Sequence, residues 1–274
     1  MQATGLDYVD LGRLTATVEA DRHRYQSAEP FPHIVLDGIL KPGAAAALAA
    51  QFPPVDHKIW KHHLHLHSHK FACNRFGAMP GPFQAVLGEL NSKALCQYLE
   101  ALTGIPDLMA DDELEGGGLH QITPGGFLKI HADFNYHPGT HQHRRINLLV
   151  YLNPEWEEAW DGNLELWSSD MSRCARSIAP VLNRCVIFNT TDSAYHGHPR
   201  PLACPPGHTR KSLALYYYTD VRPAEETSSP HSTLYKRTPL ESPLLHQLRL
   251  FRRYLLSRSS TQILRSAVRR ARGR

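Results

Sequence analysis

The hydrophobic pattern changes character near residue 117. Before that point, apolar residues sit mostly at helical spacing. After it, short apolar runs alternate with turn residues. "FPHIVLDGIL" reads as a strand and turn, and "KPGAAAALAAQF" as a helix with Pro42 early and Ala throughout. From Pro82 to Leu102 two helical segments follow, with Ser92 as N-cap of the second and Gly104 as its stop. Residues 1–30 are polar and mixed and allow short helices. From about 117 to 220 the runs "GLHQI", "FLKIHADF", "INLLVYLN", "NLELWS", "RCVIFNT" and "SLALYYYT" are rich in β-branched and aromatic residues, and Gly, Pro, Asn and Asp separate them. That rhythm predicts an all-β sandwich or barrel. After Pro223 comes a polar stretch; then Leu244, Leu248, Phe251 and Leu255 recur at helical spacing.

The layout is therefore mainly β with flanking helices (α+β). Residues 1–115 form a helical and strand flank packed on the core, 116–223 the β core, and 224–274 a helical basic tail. A chain of 274 residues suffices for one large domain with appendages. No apolar run of about 18 residues is present, so no transmembrane segment is expected. The N-terminus lacks a basic region followed by an apolar one, which predicts a cytoplasmic protein without a signal peptide. Cys73, Cys96, Cys174, Cys185 and Cys204 are scattered and odd in number, and read as reduced thiols. The net charge of +4 hides an asymmetry: nine Arg and no acid follow Glu241, and without those nine the remainder carries −5.

The chemistry-bearing stretch is "GFLKIHADFN". In a strand, residues i and i+2 share a face, so His131 and Asp133 project side by side from an otherwise apolar run. A buried carboxylate requires a partner. A second imidazole is available downstream in "FNTTDSAYHGHP", from His196 or His198. Two His and one carboxylate on one face of an octahedral ion suit non-haem Fe(II) with open positions. In the next strand Arg210 shares a face with Ser212 and Ala214, while Lys211 shares one with Leu213 and Leu215. An inward Arg210 requires an anion, and its guanidinium matches a carboxylate bidentately.

This order of HxD, distant His and Arg opening the following strand resembles the 2-oxoglutarate/Fe(II)-dependent dioxygenases, and most of all their prolyl 4-hydroxylase-like branch. "RRINLLVYLNPEW", "DGNLELW", "RCVIFNTTDSAYHG" and "RKSLALYYYTD" follow that family's strand order, from about Gly117 to Pro223. The resemblance implies a double-stranded β-helix (jelly-roll) core. It implies His131, Asp133 and His196 as iron ligands, and Arg210 and Tyr151 on the distal carboxylate of 2-oxoglutarate. It favours His196 over His198 by its distance from Phe188, and the extra "ACPPG" before Arg210 leaves Lys211 as a rival anchor. The cofactors implied are Fe(II), 2-oxoglutarate and dioxygen, with ascorbate as an optional reductant. The reaction implied is hydroxylation of an unactivated C–H, with release of succinate and carbon dioxide. The first substrate expected is a prolyl residue of a peptide or protein. The alternatives are a small metabolite (an amino acid, a peptide natural product, a saccharide or lipid precursor) or a non-catalytic ligand-binding jelly roll.

Other features carry less. Asn147 shares a face with Tyr151, and His120 or Gln121 precedes the site. The strip "HKIWKHHLHLHSHKF" has six His, with His63, His65, His67 and His69 alternating on one strand face. It reads as a solvated strand or loop; a second metal site and a cover over the pocket mouth are its rivals. His137, His141 and His143 are expected in a solvent-facing loop. The basic tail fits a helix with a charged end. Peripheral contact with an anionic surface is its other use; nucleic acid is disfavoured, since no stacking aromatics interleave its Arg.

Overall fold

The structure, a computed structural model, is described for residues 6–239. Contacts divide the chain into two units, Met1–Lys236 and Arg237–Arg274. The tail helix expected beyond residue 240 lies outside the described residues.

The first unit opens with one long helix, α1 (Leu11–Gln26), in a stretch whose sequence allowed short ones. Asp10 caps it by accepting from the Arg13 amide, and Leu14 and Tyr25 bury one side. Strand β1 (His33–Asp37) and helix α2 (Ala44–Ala50) follow. The His-dense strip forms a hairpin of β2 (Lys61–His65) and β3 (Ser68–Cys73). Helices α3 (Gly81–Leu90) and α4 (Lys93–Thr103) match the expected pair. Ser92 accepts from the Leu95 amide at 3.3 Å, and Gly104 ends α4 with φ 77°, a left-handed stop that costs glycine little.

The remaining strands are β4 (Met109–Ala110), β5 (Gly118–Ile122), β6 (Phe127–Ala132), β7 (His143–Tyr151), β8 (Leu164–Trp167), β9 (Cys174–Ile178), β10 (Arg184–Asn189), β11 (His196–His198), β12 (Arg210–Thr219) and β13 (Leu234–Tyr235). All pair antiparallel in one curled sheet of order β1-β10-β7-β12-β5-β3-β6-β11-β8-β9. Off this path β2 pairs with β3, β4 with β12 and β13 with β6. Strands β1 and β3, from the first 115 residues, thus lie within the sheet itself. The stretch after Pro223 returns to add β13, where Tyr235 pairs with His131.

Alternation along β7 and β12 sets the two faces. Ile146, Leu148, Val150, Leu213, Leu215 and Tyr217 are fully buried with Phe83, Leu87, Leu95 and Leu99 of the helices. Leu213 and Leu215, the face that Lys211 shares, thus pack on the helices. The opposite face, with Asn147, Leu149, Arg210, Ser212 and Tyr216, lines a cavity of about 230 Å³.

Candidate active site

Strands β6 and β11 bring the two imidazoles together, with His196 directly opposite His131. Gly197 permits this approach. A Cβ there would lie 2.8 Å from the Lys129 carbonyl oxygen and 2.9 Å from that of Leu128. Nδ1 of His131 donates to the Lys129 carbonyl at 2.8 Å, and Nδ1 of His196 to that of Ala194 at 2.9 Å. A carbonyl only accepts, so each Nδ1 holds the proton and each Nε2 lone pair faces the cavity. Asp133 completes the group: Oδ1 lies 3.4 Å from Nε2 of His131 and Oδ2 3.4 Å from Nε2 of His196. The three donor atoms lie within 4.8 Å of one another. Two neutral nitrogens and one carboxylate converging with fixed tautomers are a donor set that fits a divalent transition metal.

Burial opposes ionisation of Asp133, but the Arg144 guanidinium and the imidazoles of His196 and His131 hold its carboxyl well below the usual range. Burial pushes His196 down to about 4 against the opposing pull of Asp133, which leaves the ring in its ligand form at neutral pH.

Arg144 is a functional candidate that sequence reasoning missed. It is 1% exposed, and its Nη2 lies 3.1 Å from Asp133 Oδ2. Nε and Nη2 donate to Asn147 Oδ1 at 3.0 and 2.7 Å, and Asn147 Nδ2 donates to Asp133 Oδ2 at 2.7 Å. The guanidinium sits 3.5 Å from the Tyr216 ring centroid. Strict alternation back from Tyr151 through Asn147 points to Arg145 instead. A register shift opposite Tyr217 and Tyr218 turns Arg144 inward.

Arg210 lines the cavity and is 5% exposed. Its Nε donates to the Gly162 carbonyl at 2.7 Å and its Nη2 to the Tyr151 hydroxyl at 3.1 Å. Tyr151 is fully buried behind Arg210 and outside the cavity lining. Lys211 faces away, so of the two only Arg210 lines the cavity. His198 lies outside the metal-ligand group but lines the same cavity, as do Asn147 and His120, whereas Gln121 bonds Thr209 instead.

Two expectations about histidines need correction. The β2–β3 turn reverses the chain, so the alternation of His63, His65, His67 and His69 breaks. His63 pairs with Lys70 and His65 with Ser68, and all four line the cavity. His69 pairs with Leu64 and sits 5.2 Å from His62 on the other face. The strip therefore covers the pocket, as its third reading had it, rather than lying wholly in solvent. His137, expected in solvent, is 2% exposed. Its Nδ1 accepts from the Gly139 and Thr140 amides, and Nε2 lies 3.4 Å from Asp111. The ring thereby folds its own loop.

Residues 117–218 match the sequence model of the 2OG-Fe(II) oxygenase superfamily. No curated protein matches the chain significantly. Among solved structures, a Pseudomonas putida prolyl-4-hydroxylase is similar at 19% identity, over 75% of this chain and 98% of that one, with a TM-score of 0.51. A Trichoplax adhaerens prolyl hydroxylase, solved with a hypoxia inducible factor peptide fragment, is similar at 14% identity over 76% and 92%, with a TM-score of 0.55. At such identities the likeness is one of fold. No helix among the described residues is long and apolar enough to cross a membrane. Residues 117–218 thus match the 2OG-Fe(II) oxygenase superfamily, and the chain shares its fold with these two prolyl hydroxylases.

Proposed function

We propose that His131, Asp133 and His196 hold Fe(II), that Arg210 receives the distal carboxylate of 2-oxoglutarate with Tyr151 fixing its guanidinium, and that the enzyme hydroxylates a prolyl residue of a peptide or protein. The observation that carries the ligand set is the pair of Nδ1–carbonyl bonds, which point both Nε2 lone pairs at the carboxylate. Fe(II) with 2-oxoglutarate supplies the dioxygen chemistry that forms succinate and carbon dioxide. The chain orients and shields: Arg144 and Asn147 fix the Asp133 carboxylate, Arg210 and Tyr151 fix one end of the co-substrate, and Leu149 and Leu164 supply apolar wall.

Support for a chain-like substrate comes from the mouth. Phe134 and Thr233 line both the metal cavity and a neighbouring depression of about 270 Å³ that also takes in Glu115, Tyr136, Pro138 and His231. The surface beside the candidate metal site thus continues outward into a second depression. The test has two stages. Anaerobic Fe(II) and 2-oxoglutarate should give a visible charge-transfer band that His131→Ala abolishes and that Arg210→Ala shifts to far higher 2-oxoglutarate. Succinate release should then respond to Pro-containing peptides and not to free proline. Turnover on a free amino acid or saccharide, with none on peptides, would reassign the substrate.

A further inference from the structure

His198 is 3% exposed, and neither ring nitrogen has a hydrogen-bond partner. Leaving a buried imidazole unpartnered is costly, and this ring lines the cavity. Lys70 lines it too. Strand register fixes where Lys70 stands: Arg210 pairs with Ile122 and Phe71 with Gln121, so Lys70 flanks Ile122 on the side away from Arg210. Adjacent strands lie roughly 4.8 Å apart, so the two basic residues start about 10 Å apart on one row, a gap their side chains close around a small anion. The same register carries Lys70 away from His131, since Ser68 already pairs with Leu128. Lys70 therefore stands across Ile122 from Arg210, with its backbone directed away from His131.

The lining is also rich in positive charge. The cations lining the cavity are Lys70, Arg144 and Arg210, and Asp133 is the sole carboxylate among its lining residues. Asp133 is already held by Arg144 and Asn147. Burial lowers Lys70 to about 8, with Asp133 opposing and Arg144 and Arg210 pushing further down. A second negative charge in the cavity would relieve this crowding.

We propose that Lys70 and His198, with Arg210, form the receptor for the distal carboxylate of the 2-oxo acid, Lys70 through its ammonium and His198 through one ring N–H. This rests on the ligand set proposed above. It makes the co-substrate site a joint product of the jelly roll and the N-terminal hairpin.

The test titrates anaerobic Fe(II)-loaded enzyme with 2-oxoglutarate and with 2-oxovalerate, the same carbon chain lacking the distal carboxylate. The charge-transfer band is the readout. Lys70→Met should weaken 2-oxoglutarate by roughly ten- to hundredfold, the worth of a charge-assisted hydrogen bond, and leave 2-oxovalerate unchanged. Lys70→Arg should restore most of the loss, and His198→Leu should give a smaller, equally selective one. The unchanged 2-oxovalerate titration also certifies an intact metal site in each variant. Equal weakening of both acids, or an effect confined to the KM of the organic substrate, overturns the receptor while the ligand set stands. A wild-type enzyme with no band at all overturns both.

Discussion

Arg144 carries the strongest electrostatic demand on a single residue. Its guanidinium is fully buried, faces Asp133 at 3.1 Å, and leaves Nη1 without a partner. A buried ion pair contributes little beyond its desolvation cost, yet losing one partner strands the other. Arg144→Met should therefore destabilise the metal-free protein by roughly 3–5 kcal/mol, measured by urea unfolding. A divalent metal should recover part of that loss, because the ion supplies Asp133 with positive charge. Equal loss with and without metal would mean that the stack on Tyr216 and Phe134 matters more than the charge. The sequence exposed His131, Asp133 and His196 because two-residue spacing and strand order survive translation into structure. Arg144 was hidden because one bulged residue inverts alternation, and nothing local in "HRRIN" marks a bulge. Lys70 was hidden for another reason. It pairs with His63 on β2 and precedes Phe71, which pairs with Gln121 on β5, and only long-range register unites these strands.

Elements differ in how far local signals define them. Helix α4 is fixed by Ser92, by Gly104 and by an apolar stripe of Leu95, Leu99 and Leu102, so both its ends were legible. Strand β11 is the opposite case. It has three residues, too few for any periodicity, and exists because β6 and β8 bond it from either side. Its centre is Gly197, whose missing side chain admits two carbonyl oxygens of the β6 backbone. Gly197→Ala must push β11 off β6, since those oxygens cannot rotate away. The expected cost is about 1–3 kcal/mol of stability, typical of overpacking. Fe(II) affinity should fall with it, because His131 and His196 face each other across that seam. Urea unfolding alongside metal titration checks both, and unchanged metal affinity would show that the ligands adapt independently of the strand.

At the scale of the whole molecule, charge and contacts divide at nearly the same place. Residues Met1–Lys236 form one unit that includes every candidate site residue. The nine Arg lie after Glu241, and without them the rest of the chain is net −5. A chain ended after Glu241 should therefore keep its unfolding midpoint and its 2-oxoglutarate affinity. What it should lose is any salt-sensitive attraction to anionic surfaces, since clustered Arg binds such surfaces through displaced counterions. Anionic vesicles titrated at two ionic strengths, with full-length and shortened protein, separate the two roles. If truncation instead weakens 2-oxoglutarate binding, the basic segment contributes to the pocket. If vesicle binding persists at −5, the attraction comes from the first unit, where His63, His65 and Lys70 line the open cavity beside exposed Leu64 and Leu66. Loss of vesicle binding on truncation, with 2-oxoglutarate affinity kept, assigns the surface-binding role to the last 33 residues.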